Sequence, residues 1–120
     1  MHEASIAAPL LRLVLESAER QAKELGSMLA VSNVRVRAGL LQCLEAHTLS
    51  GIFRIMAEGT IAEGATLVIE NEPMRGDCPD CGEKAAITRR AFECPHCGGE
   101  QVNWTGGNEL YIASITVKPV

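Results

Sequence analysis

The sequence predicts an α+β protein: a three-stranded sheet packed with two helices, with a small module inserted between the last two strands. Three observations predict it. A long stretch of helical periodicity comes early in the chain, and three separate apolar or alternating runs follow. A segment rich in Cys, Gly and Pro separates the last two runs. The 120 residues suffice for one compact domain with an appendage. Only 3% are aromatic, so the core must be aliphatic.

The first element is a predicted amphipathic helix over Ile6 to Leu25. Ile6, Leu10, Leu13, Ser17 and Leu25 fall near one face, with Val14, Ala18 and Ala22 beside them, and charged residues take the other side. Pro9 is expected in the first turn, where its missing N–H costs little. Gly26 follows at the position that favours a left-handed conformation. Asn33 to Ala38 alternates Val34 and Val36 with Arg35 and Arg37, which predicts a strand with one buried face, ended by Gly39. Leu49, Ile52, Phe53 and Met56 predict a second helix from about Leu49 to Ala57, with Thr48 or Ser50 as its cap. Thr66 to Glu70 predicts a second strand, broken by Asn71-Glu72-Pro73, and Glu109 to Val117 predicts a third. The division expected is residues 1–72 plus 108–120 for the main domain and 73–107 for the module.

Charge and hydropathy exclude several classes. Net charge is −4 and the pI about 5.3, and Arg89 and Arg90 are too few for a phosphate-tracking surface, so no nucleic-acid partner is expected. No run approaches the ~20 apolar residues of a membrane helix. Met1-His2-Glu3 puts an acid where a signal peptide needs positive charge, so the expected compartment is the cytoplasm. Thiols stay reduced there, and five cysteines then read as metal ligands or spare thiols.

Cys78-Pro79-Asp80-Cys81-Gly82 and Cys94-Pro95-His96-Cys97-Gly98 are matched CPxCG knuckles. Two residues between cysteines let both thiolates converge on one ion, turn amides can donate to the sulfurs, and the following glycine permits the positive φ that closes the turn. Four thiolates make a closed tetrahedral site that suits structural Zn(II), in a zinc-ribbon-like module whose metal replaces a missing hydrophobic core. Rubredoxin-like iron takes the same ligands, whereas a redox couple would not need two matched pairs. Cys43, among Leu40, Leu41 and Leu44, is expected to be a buried, inert thiol.

The opening residues hold a chelating geometry. The Met1 amine and the His2 amide close a five-membered ring around a metal, and the His2 amide and its own Nδ1 close a six-membered one. These donors make three corners of the square plane preferred by low-spin Ni(II) and Cu(II), and one corner is left to an outside group. The Glu3 amide offers another route to the plane, and the Glu3 carboxylate adds negative charge beside the cation. His96 is a candidate for the missing corner, and His47 reads as a surface or cap residue.

Taken in order, several features resemble the HypA/HybF nickel-insertion proteins of nickel–iron hydrogenase maturation. They are Met1-His2-Glu3 before an amphipathic helix, Val34-Arg35-Val36-Arg37, Thr60-Ile61-Ala62-Glu63-Gly64-Ala65, the two knuckles and Gly107-Asn108-Glu109-Leu110. The resemblance covers essentially the whole chain. It implies transferable Ni(II) on His2 and its adjacent backbone nitrogens, and Zn(II) on Cys78, Cys81, Cys94 and Cys97. It implies partnership with the maturation GTPase (HypB) and delivery to the hydrogenase large subunit, with urease served in some members. The alternative is a zinc-ribbon interaction module for protein or nucleic acid. That reading predicts basic and aromatic residues around the knuckles, where acids balance the bases and Trp104 is the only Trp or Tyr close by. No nucleophile–base pair or open zinc position suggests an enzyme. Monomer and homodimer, including a domain-swapped one, are both compatible with an inserted module on two arms.

Overall fold

The computed structural model of the chain describes residues 2–120. Its elements are α1 (His2–Leu25), β1 (Leu29–Gly39), a 3-10 turn (Leu40–Gln42), α2 (Ala46–Met56), β2 (Thr66–Glu72), β3 (Met74–Asp77), β4 (Lys84–Ile87), β5 (Asn103–Thr105) and β6 (Leu110–Pro119). One three-stranded sheet has the order β2-β1-β6, and a second has the order β4-β3-β5. The fold class is α+β. Two compact units divide the chain. One holds the residues up to Val36, then Leu44–Ile69 and Ile112–Val120; the other holds Arg37–Cys43 and Glu70–Tyr111.

In the first unit, α1 and α2 pack together. Ala7, Leu10, Leu11, Val14 and Ala18 of α1 are buried with Leu49 and Phe53 of α2 and Leu29, Val31, Val34 and Val36 of β1. The alternation read in β1 holds, since Val34 and Val36 are fully buried while Arg35 is exposed. The core face of α1 is rotated from the one expected. Ala7 and Leu11 are inside, whereas Leu13 and Leu25 are 50% and 66% exposed.

The helix also starts earlier than expected. It begins at His2, so Pro9 lies inside it instead of in its first turn. Pro9 is exposed, and so is Ser5, whose carbonyl loses its amide partner to the proline. Water can satisfy that carbonyl, which makes the interior proline tolerable. The other end follows the sequence reading: Gly26 has φ 66°, and Ser27 N–H donates to the Ala22 carbonyl at 3.2 Å, the bond that closes such helix ends.

The second helix begins at Ala46, not near Leu49, and its cap is Glu45, not Thr48 or Ser50. The Glu45 carboxylate accepts from the His47 and Thr48 amides, and the Thr48 hydroxyl donates to it as well. That hydroxyl above all, with the two amides, holds its carboxyl below the usual carboxylate range.

The second unit takes in residues on both sides of the inserted segment. Leu40 is buried with Met74 and Ile87, and the Gly39 and Leu41 amides donate to the Glu109 and Gly107 carbonyls, each at 2.8 Å. A Cβ on Gly39 would lie 2.3 Å from Gly107 backbone atoms, so only glycine fits there. The inserted segment carries an antiparallel sheet of its own and a miniature core of Cys78, Ala85, Cys94 and Val102 against Trp104. Arg37 of β1 joins this unit's arms. Its Nε donates to Glu72 Oε2 at 2.6 Å, its NH1 nitrogen to Glu70 Oε1 at 3.3 Å, and the Tyr111 hydroxyl donates to Glu72 Oε2 at 2.9 Å. The Arg37 hydrogen bond holds the Glu72 carboxyl below its ordinary range, and the bond to Glu72 raises the Tyr111 hydroxyl above its own.

Candidate metal centre

The two knuckles fold as copies of one turn. In the first, Cys78 N–H donates to the Glu83 carbonyl and Gly82 N–H to the Cys78 carbonyl, at 3.1 and 2.9 Å. In the second, Cys94 N–H donates to the Gly99 carbonyl and Gly98 N–H to the Cys94 carbonyl, both at 2.8 Å. Gly82 and Gly98 take φ 74° and 77°, the left-handed conformation that closes each turn.

These turns bring Cys78, Cys81, Cys94 and Cys97 together, with all four sulfurs within 4.8 Å of one another. Cys78 and Cys97 sulfurs are 3.6 Å apart, and those of Cys81 and Cys94 are 3.7 Å apart. Disulfide sulfurs would be about 2.05 Å apart. A tetrahedral ion at ~2.3 Å from each thiolate sets the sulfurs about 3.8 Å apart, close to these two separations. Cys78 and Cys94 are buried, and Cys81 and Cys97 lie at the surface. The His96 amide is 3.4 Å from the Cys94 sulfur.

The thiols also influence one another. Burial raises Cys94, but the His96 and Cys97 amides outweigh it and bring it to about 7. The Gly99 amide lowers Cys97, but hydrogen bonds with its sulfur neighbours and burial push it up to about 12. Four thiolates at this spacing repel unless a cation joins them, so the quartet is a site that can hold a metal ion.

The N-terminal candidates lie in the first unit. His2 and Glu3 form the first turn of α1 and are not a loose tail. His2 is exposed, and its carbonyl accepts from the Ser5 hydroxyl at 2.8 Å. Glu3 Oε2 accepts from the Glu45 amide at 3.0 Å, and that bond is the main reason the Glu3 carboxyl sits below its ordinary range. Met1, the expected amine donor, lies outside the described residues. His96 is in the second unit, where its Nε2 lies 3.2 Å from the Lys84 carbonyl. His47 is exposed in the first turn of α2.

Two residues escaped the sequence reading. Cys43 is exposed, not buried, in a left-handed conformation with φ 53°, because the 3-10 turn ends there. Glu45 is the hub between the two helix starts, and the spacing Glu45-x-x-Thr48 was its only signal.

An α+β chain with a tetrathiolate site in a zinc-ribbon-like module is a metal-binding protein by architecture. Comparison with known proteins narrows this. A sequence model of the family described as "Hydrogenase/urease nickel incorporation, metallochaperone, hypA" matches residues 1–117. The hydrogenase maturation factor HypA of Streptomyces avermitilis is 35% identical over 116 residues, covering 96% of this chain and 86% of that one. The hydrogenase maturation factor HybF of Salmonella typhimurium is 30% identical over 118 residues, covering 98% and 100%. The solution structure of the Ni metallochaperone HypA from Helicobacter pylori superposes with a TM-score of 0.55 at 25% identity, covering 96% of each chain. The chain belongs to the HypA family of nickel-incorporation metallochaperones and hydrogenase maturation factors. Among the described residues, no helix is long and apolar enough to cross a membrane.

Proposed function

We propose that this protein carries Ni(II) as transferable cargo on its N-terminus and holds Zn(II) structurally on Cys78, Cys81, Cys94 and Cys97. Nickel would sit on the His2 imidazole and amide with the Met1 amine. Glu3 would contribute its charge and anchor the turn. The observation that carries this reading is the placement of His2 and Glu3 in the first turn of α1. First-turn amides have no carbonyl partner within their own helix, and a helix N-terminus favours negative charge. A square-planar nickel site uses a deprotonated, anionic amide, and the first turn is where one is least costly to form.

The sulfur quartet supports zinc by its donor set, four cysteine sulfurs gathered within 4.8 Å of one another. With all four positions taken by cysteine, no open coordination site is left for catalysis, and the protein acts as a carrier, not an enzyme. Residues 1–72 with 108–120 would form the nickel-binding domain and 73–107 the zinc module. The partners that follow are a HypB-like maturation GTPase and the large subunit of a nickel–iron hydrogenase, in the cytoplasm, with urease a second recipient. The carrier would act as a monomer or a homodimer.

The test is metal analysis with nickel titration of untagged protein beside His2→Ala. The variant should keep its zinc and its fold and lose the specific nickel site. Undiminished nickel binding by His2→Ala would overturn the N-terminal assignment.

A further inference from the structure

The free edge of β4 borders a cleft that also reaches Cys94, Pro95 and Gly98 of the second knuckle. In the β3–β4 ladder, Met74 pairs with Ile87, Arg75 with Ala86, Gly76 with Ala85 and Asp77 with Lys84. The Cys78 amide donates to the Glu83 carbonyl, one step further along. Hydrogen-bonded pairs alternate in an antiparallel ladder, so Gly76–Ala85 and Met74–Ile87 are the bonded ones. The N–H and C=O groups of Lys84 and Ala86 therefore point away from β3. The Lys84 carbonyl bears this out, because it meets the His96 ring at 3.2 Å.

Ala86 is the next residue on that side. It lines a cleft of about 410 Å³ with Ile87, Thr88, Arg89, Glu93 and Pro95. The volume lies within the ~300–1,000 Å³ of ordinary ligand sites. β4 is an edge strand in the order β4-β3-β5. Edges are normally blunted by proline, a bulge or charge, because an open edge pairs with any extended chain. Here the residue at the opening is alanine. Arg89 lines the cleft with one acid, Glu93, and Arg90, next in sequence, is exposed. The segment 86–93 holds two arginines and one glutamate, so it is positive in sequence on a chain whose net charge is −4.

We propose that this cleft takes an extended segment of a partner protein, which adds as a strand to β4 through the Ala86 backbone and sets acidic side chains against Arg89 and Arg90. Main-chain pairing supplies affinity, and the arginines supply the preference for carboxylates. A nucleic acid fits less well, because two arginines and a backbone edge offer neither a phosphate track nor a stacking platform. The proposal stands apart from the nickel assignment, so either can fail alone.

The test uses the full metal-loaded chain, labelled with nitrogen-15 and titrated with two capped pentapeptides, Glu-Val-Thr-Val-Glu and Lys-Val-Thr-Val-Lys. The acidic peptide should shift the amides from Ala86 to Arg90 and slow hydrogen exchange at Ala86. The basic peptide should bind at least tenfold more weakly. Ala86→Pro removes an N–H that β3 does not use and should abolish the shifts at unchanged metal content. Arg89→Glu with Arg90→Glu should reverse the charge preference, which keeps the test decisive if the proline variant folds poorly. Absence of shifts at millimolar acidic peptide, equal response to both peptides, or undiminished binding by a folded Ala86→Pro would overturn the proposal. So would shifts that depend on protein concentration without peptide, which would give the edge to a second copy of the chain. Tighter, competing binding by a short RNA would give it to a nucleic acid.

Discussion

Glu3 Oε2 accepts the backbone N–H of Glu45 at 3.0 Å, and this bond ties the first turn of α1 to the cap of α2. Glu45 is then engaged twice, by its amide to Glu3 and by its carboxylate to the start of its own helix. Glu3→Ala removes the acceptor, whereas Glu3→Gln keeps an oxygen that can take the same N–H. Amide exchange at Glu45 should therefore speed up severalfold in the alanine variant and much less in the glutamine one. The Glu3 carboxyl is held below its ordinary 4.5, chiefly by that N–H. A lowered folded pKa stabilises above the unfolded value, so the tie should be intact above about pH 4.5. It should be lost as pH falls through the lowered value. Equal exchange in both variants would show that the bond does not form in solution.

Removing the metal separates the two units in their response. Chelation, or Cys78→Ser, takes away the ion that would hold Cys78, Cys81, Cys94 and Cys97, and the miniature core around Ala85 and Val102 is too small to replace it. Amide spectra should lose the dispersed signals of β3, β4 and β5 while α1 and α2 keep theirs. A chelated protein with an unchanged second sheet would contradict a structural role for the metal.

An extra residue placed before Met1 should cost much of the nickel affinity, even with His2 and Glu3 intact. It moves the amine off its chelate ring. Imidazole, amine and amide must each be proton-free at the metal-binding nitrogen, so affinity should also weaken as pH falls. Titration of extended and untagged protein, followed by visible absorption, checks both. Identical spectra and affinities would remove the amine from the site.

The bonds among Arg37, Glu72 and Tyr111 have a pH window at both ends. Glu72 is held low by Arg37, so its contribution is lost as pH falls below 4.5 through its folded value. Tyr111 is held high by Glu72, so its contribution is present below its ordinary 10.0 and lost as pH rises through the raised value. Tyr111→Phe should lower stability at neutral pH, remove the alkaline loss, and reduce without abolishing the acid-side loss, because Arg37 is the main cause and Tyr111 the next of the lowered Glu72 carboxyl. Thermal unfolding followed across pH reads both limits, and superimposable profiles for wild type and variant would count against the role of the hydroxyl.

Phe53 is fully buried in α2, in a core that is otherwise aliphatic. Phe53→Ala should destabilise the first unit by ~3–5 kcal/mol, the usual cost of such a cavity. Denaturant unfolding of the metal-loaded protein measures it, and a cost under ~1 kcal/mol would mean that the site collapses around the smaller side chain.

The sequence made some features legible because their signal is local. The knuckles are fixed by a five-residue pattern, and β1 by the alternation of Val34 and Val36 with arginine. Gly26 closes α1 as its position suggested. Other features depended on contacts that spacing does not carry. The position of Pro9 suggested a later start for α1, but the Glu3–Glu45 bond fixes the turn before it. Glu45 is outside the usual set of capping residues, so α2 was read as starting later. The strands of the second sheet have three or four residues and include Gly76, too short and too polar for a periodic signal. Cys43 followed apolar neighbours, yet the 3-10 turn carries it to the surface.

The strand order β2-β1-β6 has a consequence in time. β1 lies between two neighbours, and one of them, β6, comes after the cysteines and the strands of the second sheet in the chain. The cysteines and the three short strands of the second sheet emerge while one side of β1 is still open. Capture of a metal ion by the four cysteines can therefore precede closure of the first sheet, and a chain that lacks that ion would have an unfinished insert while β1 still awaits its last neighbour. Metal supply during synthesis thus bears on the yield of the whole protein.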